Sequence, residues 1–257
     1  MKSVVESLEP RAYEPACMKW RSLEESTPQS DTRSLRETYA ERQAIIARYV
    51  PADIQAIHTR AVADLQASGI AERALQSGSE APEFELPDPN RKPVRSSDLL
   101  MRGPLVICFI RGRWCPFCVG QMEAMNAIAP QIQKLGASMV AISPQTVHQN
   151  YLMADQHKLQ FPLLSDAGNK VARQFGLAYC VPDYQQEVYG RAFVNLSFVN
   201  GDSLWELPIP ATYLLDRSKS VGDGARATPV IYAYASPDYT DRPEPGDILR
   251  FLAQLAS

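Results

Sequence analysis

The sequence predicts an α/β protein with a central mixed β-sheet flanked by helices and a helical extension at the N-terminus. Three observations predict this class: helical periodicity near the N-terminus, a later alternation of apolar strand-like runs with helical segments, and two cysteines at one strand-to-helix junction. The 257 residues and the hydrophobic fraction of 45% suffice for a full core. We therefore expect one large domain together with an extension.

Composition and charge exclude several classes of partner. The formal net charge of −3 provides no global attraction to nucleic acid or to an anionic membrane, and we expect neither as a partner. No apolar run reaches about eighteen residues, so no segment is expected to span a bilayer. The first residues lack the apolar core of a signal peptide, which predicts a cytoplasmic protein. Structural disulfides are rare in the cytoplasm, so the five cysteines are expected to be catalytic or incidental rather than a disulfide framework.

The N-terminal part divides into an arm and a helical extension. Residues 1–33 combine scattered charge, three prolines and weak periodicity, which predicts a poorly structured arm. Residues 34–76 form the predicted extension, with amphipathic helices over Leu35–Tyr49 and residues 54–68. Gly69 is expected to stop the second helix. The apolar stripes of these helices must be buried, either against the main domain or in a homodimer interface.

Residues 77–257 are predicted to form the main domain. Residues 105–110 are a continuous apolar run, which is typical of a buried central strand. The other predicted strands are 81–86 and 93–94, Ser138–Ser143, Leu163–Ser165, 212–216 and 230–234. The predicted helices are 116–135, 147–158, 172–177 and a last one from Pro245 to near Ala256, with 178–207 as an irregular insertion. This order is that of a thioredoxin-like α/β fold.

Cys115 and Cys118 directly follow the predicted central strand and open the next helix. The first turn of a helix offers unpaired N–H groups and a partial positive charge, which together lower the pKa of a thiol. A second cysteine one helical turn away can donate to that thiolate and later close a small disulfide ring. Pro116 suits the first turn, and Trp114 is expected to shield the site and present an apolar surface to a partner. The pair predicts a redox-active dithiol.

Two further features of the sequence bear on this site. Structural zinc needs four ligands, and the sequence has no second Cys-x-x-Cys or close His pair, so we expect no metal and no cofactor. Pro210 is predicted to be a cis proline facing the thiols, the alternative being a trans proline at a strand start. Trp205 is interpreted either as part of the site lining or as core. Glu206 is interpreted either as a proton acceptor or as a solvated carboxylate.

The remaining cysteines are predicted to have lesser roles. Cys108 is expected to be a small buried residue of the central strand, and Cys17 has no visible partner in the arm. Cys180 is interpreted either as a remote resolving thiol or, with more support, as a spare cysteine. The three histidines are isolated on predicted helices and form no recognisable Cys–His dyad.

Residues 109–118 have the sequence Phe-Ile-Arg-Gly-Arg-Trp-Cys-Pro-Phe-Cys. This block resembles the Phe-Tyr-Arg-Gly-x-Trp-Cys-Pro-Tyr-Cys block of peroxiredoxin-like bacterial proteins of the alkyl hydroperoxide reductase/thiol-specific antioxidant family. Further similar blocks lie at residues 136–137, 140–145, 161–166, 169–177, 205–212 and 237–240. The resemblance covers about residues 35–257. It implies a thioredoxin fold and thiol-based redox chemistry. The partners that we expect are a peroxide substrate and a thioredoxin- or glutathione-type reductant.

The chain departs from mainstream peroxiredoxins at three activating positions. Those enzymes use Pro-x-x-x-Thr-x-x-Cys and a distant Arg, which position the peroxide and stabilise its breaking bond. With Cys118 as the attacking thiol, Cys115 occupies the Thr position, Arg111 the Pro position and Pro210 the place of the distant Arg. Arg111 is interpreted either as a replacement for the lost charge, activating Cys118 or holding a peroxide, or as a surface residue at a strand end.

Three functions follow from these residues. In a thiol-dependent peroxidase Cys118 attacks the peroxide and Cys115 resolves the sulfenic acid as a disulfide. In a thioredoxin-like disulfide reductase Cys115 attacks a substrate disulfide and Cys118 releases the mixed disulfide. A redox-sensing interaction module would instead use the disulfide to switch partner binding. The peroxidase is our leading hypothesis.

Overall fold

The computed structural model describes residues 33–192, 194–219 and 228–255 of the chain. The helices within these ranges are α1 (Leu35–Tyr49), α2 (Ala52–Ala67), α3 (Ile70–Arg73), α4 (Ser96–Leu100), α5 (Pro116–Lys134), α6 (Val147–Gln156), α7 (Lys170–Gln174), α8 (Asp183–Arg191), α9 (Leu196–Asn200) and α10 (Pro245–Leu255). The strands are β1 (Glu80–Ala81), β2 (Glu85–Pro87), β3 (Pro93–Arg95), β4 (Leu105–Phe109), β5 (Ser138–Ser143), β6 (Leu163–Ser165), β7 (Ala178–Cys180), β8 (Glu206–Pro208), β9 (Ala211–Leu215) and β10 (Thr228–Ala235). None of the described helices has the length and apolarity to cross a bilayer.

A six-stranded sheet in the order β1-β10-β9-β4-β5-β6 forms the centre of the molecule. Strand β4 pairs in parallel with β5 and antiparallel with β9, so the sheet is mixed, as predicted. Residues 105–110 are wholly buried, and alternate side chains enter two different hydrophobic clusters on the two faces of the sheet. The apolar run is continuous because helices cover both of those faces.

Helix α5 follows β4 and carries the dithiol. Its apolar face packs on the sheet through Met122, Met125, Ala129 and Ile132, which are buried at helical spacing. Pro116 is at the first position of the helix, where its missing N–H is not needed. The central strand therefore delivers the chain into the first turn of α5, at the place the sequence predicted.

The two N-terminal helices pack on the main domain. Helix α1 lies against α5 and buries Leu35 and Tyr39, while α2 lies against α8. Ser34 and Glu37 form a capping box at the start of α1. The main domain thus buries part of these apolar stripes, and a homodimer interface stays a prediction. Gly69, with φ of 65°, ends α2 as predicted.

The prediction of an irregular insertion over residues 178–207 is wrong. This segment contains α8, α9 and the antiparallel pair β7–β8, built around the small core of Val181, Tyr189, Leu196 and Leu207. The three-residue strands and the polar sequence of α8 carry too little periodicity to be recognised without their tertiary contacts. The predicted arm, including Cys17, and residues 220–227 lie outside the described residues.

Candidate active site

The two thiols lie at the junction of β4 and α5 and are almost inaccessible. Cys115 is the residue before the first turn of α5, and Cys118 is the third residue of the helix. Their exposed fractions are 2% and 0%. Both therefore sit in the partial positive charge of the helix N-terminus, and both are shielded from bulk water.

Cys118 is surrounded by donors that favour its thiolate. The backbone N–H of Arg111 lies 3.4 Å from Sγ, and Nη2 of Arg242 lies 3.8 Å away. Burial by itself raises the pKa of Cys118. The hydrogen bond from Cys115, the charges of Arg242 and Arg111 and the Arg111 N–H outweigh burial and lower that pKa to about 5. Cys118 is therefore a thiolate at neutral pH.

The pKa of Cys115 is shifted in the opposite direction, upwards. Burial raises the pKa of its thiol well above the ordinary value, and donation to Cys118 with the negative charge there raises it further. The nearby arginines Arg111 and Arg242 only partly oppose this increase. The two opposite pKa shifts favour a pair that shares one proton, with the negative charge on Cys118 beside the arginines.

Arg111 is buried in an aromatic box rather than at a surface. Its exposed fraction is 3%, and its guanidinium carbon lies 4.9 Å and 4.7 Å from the ring centroids of Trp114 and Tyr239. Nη2 donates to the hydroxyl of Tyr189 on α8. Among the described residues, Nε of Arg111 and Nε1 of Trp114 are buried donors with no hydrogen-bond partner. The interpretation of Arg111 as a surface residue at a strand end is therefore wrong.

The indole of Trp114 reaches this box because the turn before it contains Gly112. That glycine has φ of 146°, and a Cβ there would approach Nε1 of Trp114 to 2.7 Å and Oε1 of Gln145 to 2.8 Å. A side chain at this position would therefore displace the indole. Trp114 lies between the Arg111 guanidinium and the small core of residues 181–207.

Arg242 is a site residue that the sequence analysis missed. It lies after β10, is 9% exposed, and its Nε donates to Oε1 of Gln121 on α5 at 2.9 Å. Gln121 in turn donates to Thr212 of β9 at 3.3 Å, which fixes the amide orientation. Within the described ranges no carboxylate forms an ion pair with Arg242 or Arg111. Two buried cations thus face one thiolate.

His58 of α2 also belongs to the neighbourhood of Arg111. Its ring lies 6.2 Å from that of Tyr189 and 6.0 Å from that of Tyr239, and Nδ1 is 3.2 Å from Nε2 of Gln185. Burial and then the charge of Arg111 lower the pKa of His58 to about 4, so the imidazole is neutral at physiological pH. Sequence placed His58 on a helix but not beside the site.

The downstream residues take structural positions. The bond before Pro210 is trans, so the predicted cis proline is wrong. A trans bond continues the extended chain from β8 into β9, and the Pro210 carbonyl accepts from the N–H of Ser236 at 3.1 Å. Trp205 packs with Trp114 against the small core, and its carbonyl accepts from Val181 at 2.8 Å. It therefore belongs to the small core, and its role as site lining stays a prediction.

The remaining polar candidates do not reach the dithiol. Glu206 pairs with Arg173, which supports the solvated-carboxylate interpretation. Cys108 is fully buried in β4 as predicted, and burial raises the pKa of its thiol to about 12. Cys180 is exposed at the end of β7. Across the described part of the chain, no group of three or more His, Cys, Asp or Glu side chains could hold a metal ion.

Comparisons with known proteins agree on one family. The model of the AhpC/TSA family matches residues 77–223. A protein of Mycobacterium tuberculosis with a peroxiredoxin name is 35% identical over 103 residues, which are 40% of this chain and 67% of that protein. Chloroplastic peroxiredoxin Q of Arabidopsis thaliana is 29% identical over 150 residues, 58% of this chain and 59% of the relative. A solved peroxidoxin of Mycobacterium tuberculosis has a TM-score of 0.55 at 25% identity, covering 71% of this chain and 99% of that chain.

Proposed function

Because this chain belongs to the AhpC/TSA family, we propose that its reaction is a dithiol–disulfide cycle between Cys118 and Cys115. The protein is a peroxiredoxin-like oxidoreductase, a thiol-dependent peroxidase with a thioredoxin fold. The geometry around Cys118 supports the assignment of roles: the Arg111 N–H and Arg242 Nη2 lie 3.4 Å and 3.8 Å from its Sγ, which lowers the pKa of Cys118, while burial raises that of Cys115. The thiolate is the nucleophile, so Cys118 attacks first.

Each oxidation of the dithiol in the proposed cycle consumes one peroxide and one proton from solvent. The Cys118 thiolate attacks one peroxide oxygen and the O–O bond breaks. The leaving alkoxide, or hydroxide when the substrate is hydrogen peroxide, takes the Cys115 proton and departs as an alcohol or as water. The new Cys115 thiolate attacks the sulfenic sulfur of Cys118, and the expelled hydroxide leaves as water after protonation. A thiol reductant of thioredoxin or glutathione type then returns the disulfide to the dithiol.

Arg111 and Arg242 replace the activating groups that mainstream peroxiredoxins have and this chain lacks. Both guanidinium charges stabilise the attacking thiolate and the negative charge that develops on the leaving oxygen. The unpaired Nε of Arg111 and Nε1 of Trp114 are preorganised donors for the peroxide oxygens. Pro116 sets the first turn of α5, and Trp205 packs beside Trp114 on the small core.

The geometry disfavours the disulfide-reductase alternative. That chemistry needs the first cysteine of the motif as an accessible thiolate, whereas Cys115 is 2% exposed and has a raised pKa. A substrate disulfide on a folded protein could not approach Sγ of Cys115 in this conformation. Homodimer formation and a cytoplasmic location stay predictions from the sequence.

The test traps the first oxidation product. Cys115→Ser protein treated with hydrogen peroxide should accumulate a sulfenic acid on Cys118, since the resolving thiol is gone, and a dimedone-type probe with peptide mass spectrometry locates it. Cys180→Ser is the matched control and should form the Cys115–Cys118 disulfide normally. Labelling of Cys115 alone in the Cys118→Ser protein would show that the roles are reversed.

A further inference from the structure

Helix α1 lies directly over the first turn of α5, where the dithiol is. The hydroxyl of Tyr39 donates to the carbonyl of Phe117, and the guanidinium of Arg42 donates to the carbonyl of Pro116. The rings of Tyr39 and Phe117 meet edge to face, with centroids 5.0 Å apart. A Cβ on Gly120 would lie 3.1 Å from Tyr39 Cε1 and from Arg42 Nη1, so α1 fits closely against α5.

A short segment, residues 236–244, joins α1 to the thiolate; we call it the strap. Arg242 belongs to the strap, and its Nη2 atom lies 3.8 Å from Sγ of Cys118. Two residues later, the carboxylate of Glu244 accepts from the first backbone N–H groups of α1, Leu35 at 3.0 Å and Arg36 at 2.8 Å. This carboxylate satisfies two orphan donors and complements the helix dipole.

The strap has further contacts on both sides. The ring of Tyr239 meets that of Phe117 edge to face, with centroids 5.6 Å apart, and also faces Arg111. Thr240 accepts from Nε2 of Gln43 on α1 at 3.0 Å. One continuous segment therefore touches the reacting sulfur, the aromatic box and the covering helix. None of α1 or the strap lies within residues 77–223, which the family model matches.

We propose that α1 is a cover over the dithiol whose attachment depends, through the strap, on the Cys118 thiolate. The proposal rests on the Cys115/Cys118 cycle described above. While Cys118 is a thiolate, it supplies the countercharge that keeps Arg242 buried. When the two sulfurs form a disulfide, that countercharge disappears, and Arg242 keeps only neutral partners, Gln121 and the Asp241 carbonyl. A buried cation without a countercharge is strongly disfavoured.

Release of Arg242 towards water moves the strap and withdraws Glu244 from the start of α1. The two helical N–H groups then lose their acceptor, and the cover loosens. A protein reductant must bring its sulfur into contact with the disulfide, which the closed cover prevents. The cover therefore restricts a protein thiol to the opened disulfide.

Amide hydrogen exchange of the full-length protein tests the coupling. The dithiol is compared with the intramolecular disulfide, which is prepared with diamide and verified by thiol titration. We expect the amides of α1 to exchange on the order of tenfold faster in the disulfide form, while those of α6, away from the strap, are unchanged. Equal exchange of α1 in the two forms would overturn the proposal.

A variant and its control separate the strap from general destabilisation. Glu244→Gln removes the charge at the start of α1, so α1 should exchange faster already in the reduced protein, with little further change on oxidation. Asp247→Asn alters an exposed acidic residue of the neighbouring helix and should behave like wild type. Loosening of α1 on oxidation that is just as large in Glu244→Gln would exclude the strap as the coupling element.

These measurements are independent of peroxidase activity. Because diamide forms the disulfide, a failure of hydrogen peroxide to oxidise the dithiol would refute the proposed function and leave the exchange result intact. Conversely, rapid oxidation by peroxide with no change in α1 would refute the cover and leave the peroxidase cycle standing. A second pair of variants gives an independent check. Gly120→Ala should loosen α1, because its Cβ would crowd Tyr39 and Arg42, whereas Gly190→Ala in α8, whose Cβ would meet no atom within 4 Å, should leave amide exchange unchanged.

Discussion

Replacing Arg242 by methionine is expected to raise the pKa of Cys118, which is about 5 in the native protein. Nη2 of Arg242 lies 3.8 Å from Sγ. With an effective dielectric constant of about 20, two unit charges at that distance interact by roughly 4 kcal/mol, equivalent to a pKa change of about 3. The guanidinium charge is delocalised and Arg111 stays in place, so we expect a smaller increase, to a pKa of about 7.

The rate of alkylation by iodoacetamide, measured against pH, reports this pKa directly. At about pH 6 the thiolate fraction and the rate should both fall about tenfold in Arg242→Met, and the difference should largely vanish above about pH 8. Arg242→Lys keeps a positive charge and should lie between methionine and wild type. Arg250→Met removes an exposed arginine of α10 and serves as the control.

The result that would refute this reasoning is a pKa of Cys118 that stays near its native value in Arg242→Met. The hydrogen bond from Cys115 and the charge of Arg111 would then be sufficient to lower that pKa. Arg242 would have no electrostatic role in activating the thiol, and the strap would lose its connection to the reacting sulfur.

Two further predictions concern the same charges. Between about pH 5 and pH 9 the unfolded chain binds a proton at Cys118 that the native thiolate does not, so the reduced protein should become more stable as pH rises, by at most ~1.4 kcal/mol per pH unit. The free energy of unfolding of Cys118→Ser, measured with urea at several pH values, should lack this contribution. An equal dependence of that free energy on pH in the variant and in the native protein would contradict the prediction. Arg111→Met should slow oxidation by hydrogen peroxide about a hundredfold, followed by tryptophan fluorescence, whereas Arg113→Met should not. Equal rates in these two variants would remove Arg111 from the reaction.

Much of the fold could be predicted because its signals are local. The apolar run of β4, the periodicity of α5 and α1, and the proline at the first position of α5 each lie within a short window of sequence. The dithiol was located correctly for the same reason, since a strand followed by a helix places Cys115 and Cys118 in one helical turn. The segment 178–207 was misjudged because its strands are three residues long and its helix α8 is polar.

The surroundings of the dithiol could not be predicted in this way. Tyr189 meets Arg111 across 78 residues of chain, and Arg242 meets Cys118 across 124. No periodicity or motif links positions so far apart. The contact between the Pro210 carbonyl and the N–H of Ser236 likewise joins positions that no sequence pattern links.

The sequence by itself determined the family, the mixed sheet and the position of the two thiols at the start of α5. Only the tertiary structure decided which sulfur is the thiolate. A pKa depends on the burial of the group and on its distances to other charges, and the charges that act on Cys118 come from the end of β4 and from the strap after β10. The packing of the chain brings those distant segments together, and their charges favour the thiolate on Cys118, on which the proposed attack by that sulfur rests.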